Sequence, residues 1–169
     1  MKVLFLIQGF TIAASRYRVL QYIPYLESKG VESTVSLYPR TFKENIQFFN
    51  SLPQYDIIFL QRKRFNQPRL GILRRKAKKI VYDLDDAVIY RNSKAKDPSS
   101  STRKRRFVQM IKNSDFVIAG NEFLKREVFP FNPNVEVIPT AIDQERYHLK
   151  TYPTQKERIT LGWIGDHGS

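Results

Sequence analysis

The chain has 169 residues, of which 41% are hydrophobic and 13% aromatic, and it contains no cysteine. This length buries roughly 70% of the unfolded surface, which is enough for one well-packed core. The lack of cysteine excludes disulfides and thiolate metal sites, and it fits a cytoplasmic setting. The 29 Lys and Arg residues exceed the 16 Asp and Glu residues, giving a net charge of +13. That charge favours negatively charged partners such as nucleic acid, phosphorylated small molecules or an anionic membrane surface.

Six short apolar runs predict β-strands. They are residues 3–7, 34–37, 57–60, 80–82, 116–119 and 135–138. The first run is too short to span a membrane and passes directly into polar residues, so we interpret it as a buried strand rather than a targeting signal. Continuous apolar strands that alternate with helical segments predict an α/β fold, a Rossmann-like doubly wound parallel sheet flanked by helices.

Apolar residues at helical spacing predict three helices between these strands. The stripes are Val19, Ile23 and Leu26, then Phe42, Ile46 and Phe49, then Leu70, Leu73 and Ala77. We expect each stripe to face the sheet. Ser15 is predicted to cap the first helix, Pro24 to kink it and Gly30 to end it. Asn121 is predicted to cap the helix after the fifth strand.

Two regions depart from the regular pattern. Residues 91–106 are basic and carry few groups to bury, which predicts a long loop leading into a helix. Residues 151–158 are polar and include Pro153, which predicts a linker after a domain of residues 1–150. We interpret residues 159–169 as the truncated first strand and glycine loop of a second domain. The alternative is that this strand joins the existing sheet as an edge.

The loop after the first strand is a candidate anion site. In an open α/β sheet, ligands bind at the carboxyl ends of the strands, where the strand order reverses, and we expect this point between the first and fourth strands. Arg16 and Arg18 are predicted in the first helical turn, where free amides and guanidinium groups favour phosphate. The alternative is that both arginines point into solvent or pair with Asp85 and Asp86. Gly9 is the loop's single glycine, which disfavours a dinucleotide-binding oxidoreductase.

Three carboxylates end the fourth strand. Asp83, Asp85 and Asp86 repel one another unless cations, protons or ligand hydroxyls compensate. Asp85 or Asp86 could orient a reacting hydroxyl or stabilise developing positive charge. For Asp83 we prefer a structural role at the strand end. A divalent metal is conceivable, but arginines opposite the cluster would serve as well, and we predict no metal.

Two basic segments are expected near the same edge. Residues 61–64, which include Arg62, close the third strand, and residues 103–106 follow the predicted loop. Each segment taken alone reads as a solvated surface. Together they could form a rim that holds anionic lipid head groups or a phosphate-bearing ligand.

Four local patterns, in this order, resemble the family-four GT-B glycosyltransferases. They are the first strand with residues 15–26 and Gly30, residues 82–87, residues 114–121 and residues 137–143. The resemblance runs through nearly the whole chain, and the order of the patterns carries it. Two features depart from many relatives. The first loop has a single glycine, and an acidic cluster stands where those relatives carry a histidine.

The resemblance implies an enzyme that transfers a hexosyl group from a nucleotide sugar to a glycan, lipid or small-molecule acceptor, with retention and without metal or cofactor. Residues 1–150 would form the acceptor-side domain, and the chain alone would be inactive because most of the donor domain is missing. The implied catalytic residues are Asp85 and Asp86, the acceptor or phosphate ligands are Gly9, Ser15, Arg16, Tyr17, Arg18, Arg62 and Asn121, and the donor ligands are Gly162 and Gly165. Such an enzyme would be cytoplasmic, with peripheral contact to the inner face of the membrane as an option.

Two binding-module alternatives remain. The basic surface and tyrosines such as Tyr17, Tyr22, Tyr25 and Tyr38 would suit single-stranded nucleic acid. We disfavour this reading because the tyrosines lie on or beside a packing helix and no nucleic-acid motif is present. The other alternative is a module that only places an enzyme on anionic lipid, which is compatible with the enzyme hypothesis.

Overall fold

The structure, a computed structural model, describes residues 1–90, 97, 99–144 and 162. The strands are β1 (Lys2–Ile7), β2 (Glu32–Leu37), β3 (Ile57–Gln61), β4 (Lys79–Leu84), β5 (Phe116–Ala119) and β6 (Val135–Val137). The helices are α1 (Ala13–Arg18), α2 (Ile23–Ser28), α3 (Phe42–Ser51), α4 (Gln67–Lys76), α5 (Ser101–Lys112) and α6 (Glu122–Val128). Short 3-10 helices follow α1 and α3, at Leu20–Tyr22 and Leu52–Gln54. The predicted Rossmann-like α/β fold is confirmed.

The six strands form one parallel sheet in the order β2-β1-β3-β4-β5-β6. Because β1 has β2 on one side and β3 on the other, the strand order reverses between β1 and β3. The expectation that it reverses between the first and fourth strands was therefore wrong. The connection through α3 passes over β1 and inserts β3 between β1 and β4, so β4 lies one strand further away.

Two apolar clusters pack on the sheet. The larger one joins the sheet to α3, α4, α5 and α6, and its fully buried members include Tyr82, Met110 and Ile111. The smaller one centres on β1 and β3, where Phe5 and Phe59 pack with ring centroids 5.2 Å apart. The segment from α1 to α2 supplies its cover. Layers on both faces of the sheet explain why the strands are continuously apolar.

The first helical segment differs from its prediction. It divides into α1 and α2, and Ser15 lies buried inside α1 rather than at its cap. Ile12 occupies the N-cap position without a side-chain hydrogen bond. Pro24 stands in the first turn of α2, where a backbone N–H would have no acceptor within the helix. The proline therefore starts a helix instead of kinking one. Gly30 follows α2 at φ +80°, a conformation that favours glycine, as predicted.

The basic run at residues 103–106 lies on α5 and not beside it. The Ser100 side chain accepts a hydrogen bond from the Arg103 amide, which sets the helix start earlier than the composition indicated. Phe107, Met110 and Ile111 are the buried face that holds this helix on the sheet. The helix therefore begins at Ser101, and the four consecutive basic residues lie within its first two turns.

The stripe predicted for α3 turns away from the sheet at two of its three positions. Phe42 is 84% exposed and Ile46 is 47% exposed, whereas Phe49 is buried. The helix instead buries Asn45 and Phe48. Asn45, Phe48 and Phe49 define the inward face, which turns Ile46 away from the sheet, and Phe42 is the first residue of the helix.

The linker at 151–158 and the donor-domain strand at 159–169 lie outside the described residues, apart from Gly162, which is exposed. Within the described part of the chain, no helix is both long enough and apolar enough to cross a bilayer.

Candidate active site

The candidate site lies at the carboxyl edge of the sheet, where β3, β4 and β5 end beside one another. Gly120, directly after β5, donates its amide to the Leu84 carbonyl at 2.7 Å. A Cβ at this position would lie 3.0 Å from the Asp85 Cα, so the glycine permits close approach of the two loops. Asn121 follows and caps α6, its Oδ1 accepting from the Leu124 amide at 2.9 Å. Asn121 is thus a helix cap in the wall of the site.

A buried ion pair links the first helix to the fourth strand. The Arg18 Nε donates to Asp83 Oδ2 at 2.9 Å and to Oδ1 at 3.0 Å. Only 4% of the Arg18 side chain and 2% of the Asp83 side chain are exposed. The Arg18 Nη2 also donates to Asp83 Oδ1, and its Nη1 donates to the Ile138 carbonyl at 3.0 Å and to the Thr140 hydroxyl at 3.1 Å. Arg18 therefore joins α1, β4 and the segment after β6, and its guanidinium is occupied by protein groups.

The environment of this pair moves both pKa values. Burial raises the pKa of the Asp83 carboxyl, an effect that the hydrogen bond from Arg18 partly offsets. For Arg18, burial lowers the pKa, but the hydrogen bond and charge of Asp83 outweigh it, so the guanidinium pKa lies above its ordinary value. The preferred structural role for Asp83 agrees with this geometry, although its partner is a side chain rather than backbone amides.

Arg62 holds the other two carboxylates of the cluster. Its Nε lies 3.0 Å from Asp85 Oδ1, an ion-pair contact without hydrogen-bond alignment, and its Nη2 donates to Asp86 Oδ2 at 2.6 Å. The backbone of Arg62 is left-handed, at φ 57°, which is uncommon for a residue with a side chain. One alternative left open by the sequence paired Arg16 and Arg18 with Asp85 and Asp86, and the structure places Arg62 beside these two carboxylates. Asp86 is 67% exposed, so it still faces solvent.

A second buried polar chain leads from α1 to the end of β3. The Ser15 hydroxyl donates to Gln61 Oε1 at 2.8 Å, and the Tyr38 hydroxyl donates to the Gln61 carbonyl at 2.9 Å. Within the described residues, the Gln61 Nε2 has no hydrogen-bond partner although Gln61 is fully buried. Sequence reasoning missed Gln61 and the Tyr38 contact. The sequence feature that could have indicated Gln61 is a polar glutamine at the end of an otherwise apolar strand.

The other predicted residues of the first loop lie further out. Arg16 is exposed and stacks on Tyr17, with its Cζ 5.3 Å from the ring centroid. The Gly9 carbonyl accepts from the Ile12 amide at 3.4 Å, closing a turn. Since α1 has only six residues, its start presents a weak dipole. Gly162 is exposed, and Gly165 lies outside the described residues. The role of these two glycines as donor ligands therefore stays a prediction.

Three arginines give this edge its positive charge. The Arg64 guanidinium donates to the Val88 carbonyl, and Arg103 Nη1 donates to the Tyr90 carbonyl at 2.6 Å. Burial lowers the pKa of Arg64, and the charges of Arg103 and Arg106 lower it further. Neither Arg64 nor Arg103 nor Arg106 has an acidic partner among the residues described. An anion near them would relieve this mutual repulsion.

The aromatic residues considered for nucleic-acid stacking are not displayed as a platform. Tyr38 is buried, Tyr17 and Tyr22 are half-buried, and Tyr25 alone of the four is exposed, at 61%. Tyr17, Tyr22 and Tyr25 line an apolar cavity of about 430 Å³ beside β1, β3 and β4. In the described part of the chain, no group of three acidic or histidine side chains is placed to hold a metal ion.

No family model matches the sequence, and no curated protein matches it either. Three crystal structures of HepE from Anabaena share the fold, in complex with UDP and glucose, with UDP-glucose, and with UDP. Sequence identity is 19%, 19% and 20%, and the TM-scores are 0.59, 0.59 and 0.58. In each case the likeness covers 91% of this chain and 47% of HepE, so the chain spans about half the length of that protein.

The fold is that of a GT-B domain. The resemblance inferred from the sequence is confirmed at this level. In this GT-B-like domain, the carboxyl edge combines an acidic cluster (Asp83, Asp85 and Asp86) that pairs with Arg18 and Arg62 with arginines that have no acidic partner among the described residues. Such an edge is suited to a hydroxyl-rich ligand that carries a phosphate group.

Proposed function

We propose that this chain is the acceptor-side half of a glycosyltransferase that transfers a hexosyl group from a nucleotide sugar. The observation that carries the proposal is the Asp85–Arg62–Asp86 cluster at the carboxyl edge of a sheet whose fold matches UDP-bound and UDP-glucose-bound HepE. Carboxylates that are charge-balanced yet partly open to solvent are able to accept hydrogen bonds from sugar hydroxyls.

The proposed reaction forms a bond between an acceptor oxygen and the anomeric carbon of the donor. The bond from that carbon to the nucleotide diphosphate breaks, and the acceptor proton leaves with a base or with the departing phosphate. Asp85 and Asp86 orient the acceptor hydroxyl or stabilise positive charge at the anomeric carbon. Arg62 holds the Asp85 carboxylate in place through their ion pair. Retention at the anomeric carbon remains part of the proposal.

The acceptor is proposed to be a glycan or lipid-linked molecule with a phosphate group. Arg64, Arg103 and Arg106 would hold that phosphate, because they lack acidic partners among the described residues. Most donor contacts would come from a second domain that begins near residue 159 and uses Gly162 and Gly165. The protein would work in the cytoplasm, at the inner face of the membrane.

The test is nucleotide release from a panel of nucleotide sugars, measured for this chain and for the complete polypeptide to which it belongs. We expect release, with sugar transfer to an added acceptor, by the complete polypeptide only. Asp85→Asn in that polypeptide should lower turnover at least about a hundredfold, the range of a lost general acid or base. Asp56→Asn is the matched control, since Asp56 pairs with Lys78 at the opposite edge of the sheet. Equal turnover of both variants would remove the proposed role of Asp85.

A further inference from the structure

A small cavity of about 190 Å³ lies at the carboxyl edge of the sheet, where β1, β2 and β3 end. Its lining residues are Gln8, Leu37, Tyr38, Pro39, Arg40 and Lys63. Pockets for drug-sized ligands measure about 300–1,000 Å³. This cavity is smaller, so it suits a unit no larger than one sugar ring.

A strained turn brings Lys63 to the cavity. The left-handed backbone of Arg62 bends the chain, and the Lys63 amide donates to the Gln61 carbonyl at 2.6 Å. The Tyr38 hydroxyl donates to the same carbonyl at 2.9 Å, and the Lys63 Nζ lies 5.5 Å from the centroid of the Tyr38 ring. Residues in such rare backbone conformations cluster at ligand sites. The turn holds the Lys63 ammonium against the cavity wall.

The charges around the cavity are two cations and one carboxylate. Among the described residues, neither Arg40 nor Lys63 has an ion-pair partner. Glu44, in the first turn of α3, accepts hydrogen bonds from the Arg40 and Thr41 amides at 2.7 and 3.2 Å. These bonds lower the pKa of Glu44, so its carboxylate is charged at neutral pH. The excess is therefore one positive charge, which a singly charged anion balances better than a phosphate with about −1.5 to −2 charge.

The remaining lining groups fit the uncharged part of a sugar. Gln8 is exposed, and its side-chain amide is able both to donate to and to accept from hydroxyl groups. Leu37 and Pro39 add apolar surface, against which the C–H groups of a sugar ring pack. A few polar groups on an otherwise apolar lining fix the orientation of a small ligand.

We propose that this cavity binds a sugar that carries a carboxylate, a uronate, as part of the acceptor. The carboxylate accepts from the Arg40 guanidinium and the Lys63 ammonium, and the ring hydroxyls meet Gln8. The inference rests on the proposed function, since Lys63 directly follows Arg62 of the Asp85–Arg62–Asp86 cluster. It makes the acceptor an acidic glycan.

Nuclear magnetic resonance titration of the ¹⁵N-labelled chain tests the ligand class. Glucuronate, glucose and glucose 6-phosphate are added separately at constant ionic strength. Glucuronate should shift the amide signals of Gln8, Arg40 and Lys63. Glucose should bind at least about tenfold more weakly because it makes no charge-assisted hydrogen bonds. Equal binding of glucose, or tighter binding of glucose 6-phosphate at these amides, would overturn the assignment of a carboxylate.

Charge variants test the residues. Arg40→Gln and Lys63→Gln should each weaken glucuronate binding roughly tenfold, since each removes a charged donor. Their matched controls are Arg75→Gln on α4 and Lys79→Gln at the amino end of β4, which remove the same charges from exposed positions away from the cavity. Both controls should bind like the parent chain. Equal affinity of all four variants would overturn the proposed site.

A further variant separates hydroxyl recognition from charge. Gln8→Ala should weaken glucuronate and glucose by the same factor, because the amide contacts hydroxyls that both sugars share. Binding is measured without a nucleotide sugar, so it is independent of transfer. Glucuronate binding without transfer by the complete polypeptide would count against the proposed function alone, and transfer without glucuronate binding would count against this inference alone.

Discussion

At the scale of single residues, the decisive contacts join groups far apart in the sequence. Arg18 and Asp83 meet because α1 lies across the end of β4, and Arg62 meets Asp85 and Asp86 because β3 and β4 are neighbours. Sequence reasoning found all of these residues as candidates, since arginines and aspartates near strand ends are informative. It could not assign the partners, because pairing depends on strand order, which local patterns do not encode.

The Arg18–Asp83 pair should be costly to break on one side. Asp83→Asn leaves a buried guanidinium without its counter-charge, and we expect the free energy of unfolding to fall by about 3–5 kcal/mol. Replacing both residues, Arg18→Met with Asp83→Leu, should recover much of that loss because no uncompensated charge remains. Urea denaturation of the single and double variants measures both values. A double variant as unstable as the single one would show that the pair's hydrogen bonds to Ile138 and Thr140 matter more than its charges.

Gly120 should tolerate no side chain. In Gly120→Ala the new Cβ would lie 3.0 Å from the Asp85 Cα and 3.2 Å from the Leu84 carbonyl oxygen. Backbone must shift, and we expect a loss of about 1–3 kcal/mol in the free energy of unfolding, typical of overpacking. Gly71→Ala is the control: no atom lies within 4 Å of the added methyl group, and alanine inside a helix should stabilise α4 by about 0.5–1 kcal/mol. Thermal melts of the two variants should therefore shift in opposite directions.

At the scale of elements, strands were the easier prediction and helix faces the harder one. Short apolar runs predicted the buried strands directly. All six strands are present, and the predicted and observed bounds differ only at the strand ends. Predicting a helix face requires a choice among overlapping apolar stripes. In α3 the buried residues are Asn45, Phe48 and Phe49, and of these only Phe49 belonged to the predicted stripe. The division between α1 and α2 was missed because the apolar residues Val19, Ile23 and Leu26 keep helical spacing across the break.

Asp115 ties three elements together and makes their packing sensitive to acid. Its carboxylate accepts from Arg74 of α4 and from the Ile80 amide of β4, at 2.7 Å for the latter. Burial alone would raise the Asp115 pKa, but these hydrogen bonds outweigh it and hold the pKa below the ordinary value. A lowered folded-state pKa adds stability above the unfolded-state pKa of about 3.9, and this stability is lost as the pH falls through the folded-state value.

Asp115→Asn should therefore lower stability at neutral pH and reduce the loss seen on acidification. Urea titrations from neutral to strongly acidic pH, for the parent and the variant, test this sign. If the difference between the two proteins stayed constant over the whole range, Asp115 would not be the titrating group.

At the scale of the whole molecule, the excess of positive charge should govern stability in salt. With a net charge of +13 and basic residues on α4, α5 and the β3 end, the folded chain repels itself more than the expanded chain does. Raising sodium chloride screens this repulsion because the Debye length shortens to about 3 Å at 1 M. We expect the melting temperature to rise with salt, and scanning calorimetry in a salt series measures it. A melting temperature that stayed constant between low and high salt would contradict this expectation.

The pairing of β1 on both of its sides has a consequence for the order in which the chain folds during synthesis. β1 hydrogen-bonds to β2 on one side and to β3 on the other. Because β1 is synthesised before both partners, it waits for two later strands. Parallel pairing of distant strands is intrinsically slow. The shortest nascent chain with a complete partner set for β1 must include Gln61, the last residue of β3. Amides of β1 and β3 should accordingly exchange with deuterium last, and those of the edge strands β2 and β6 first.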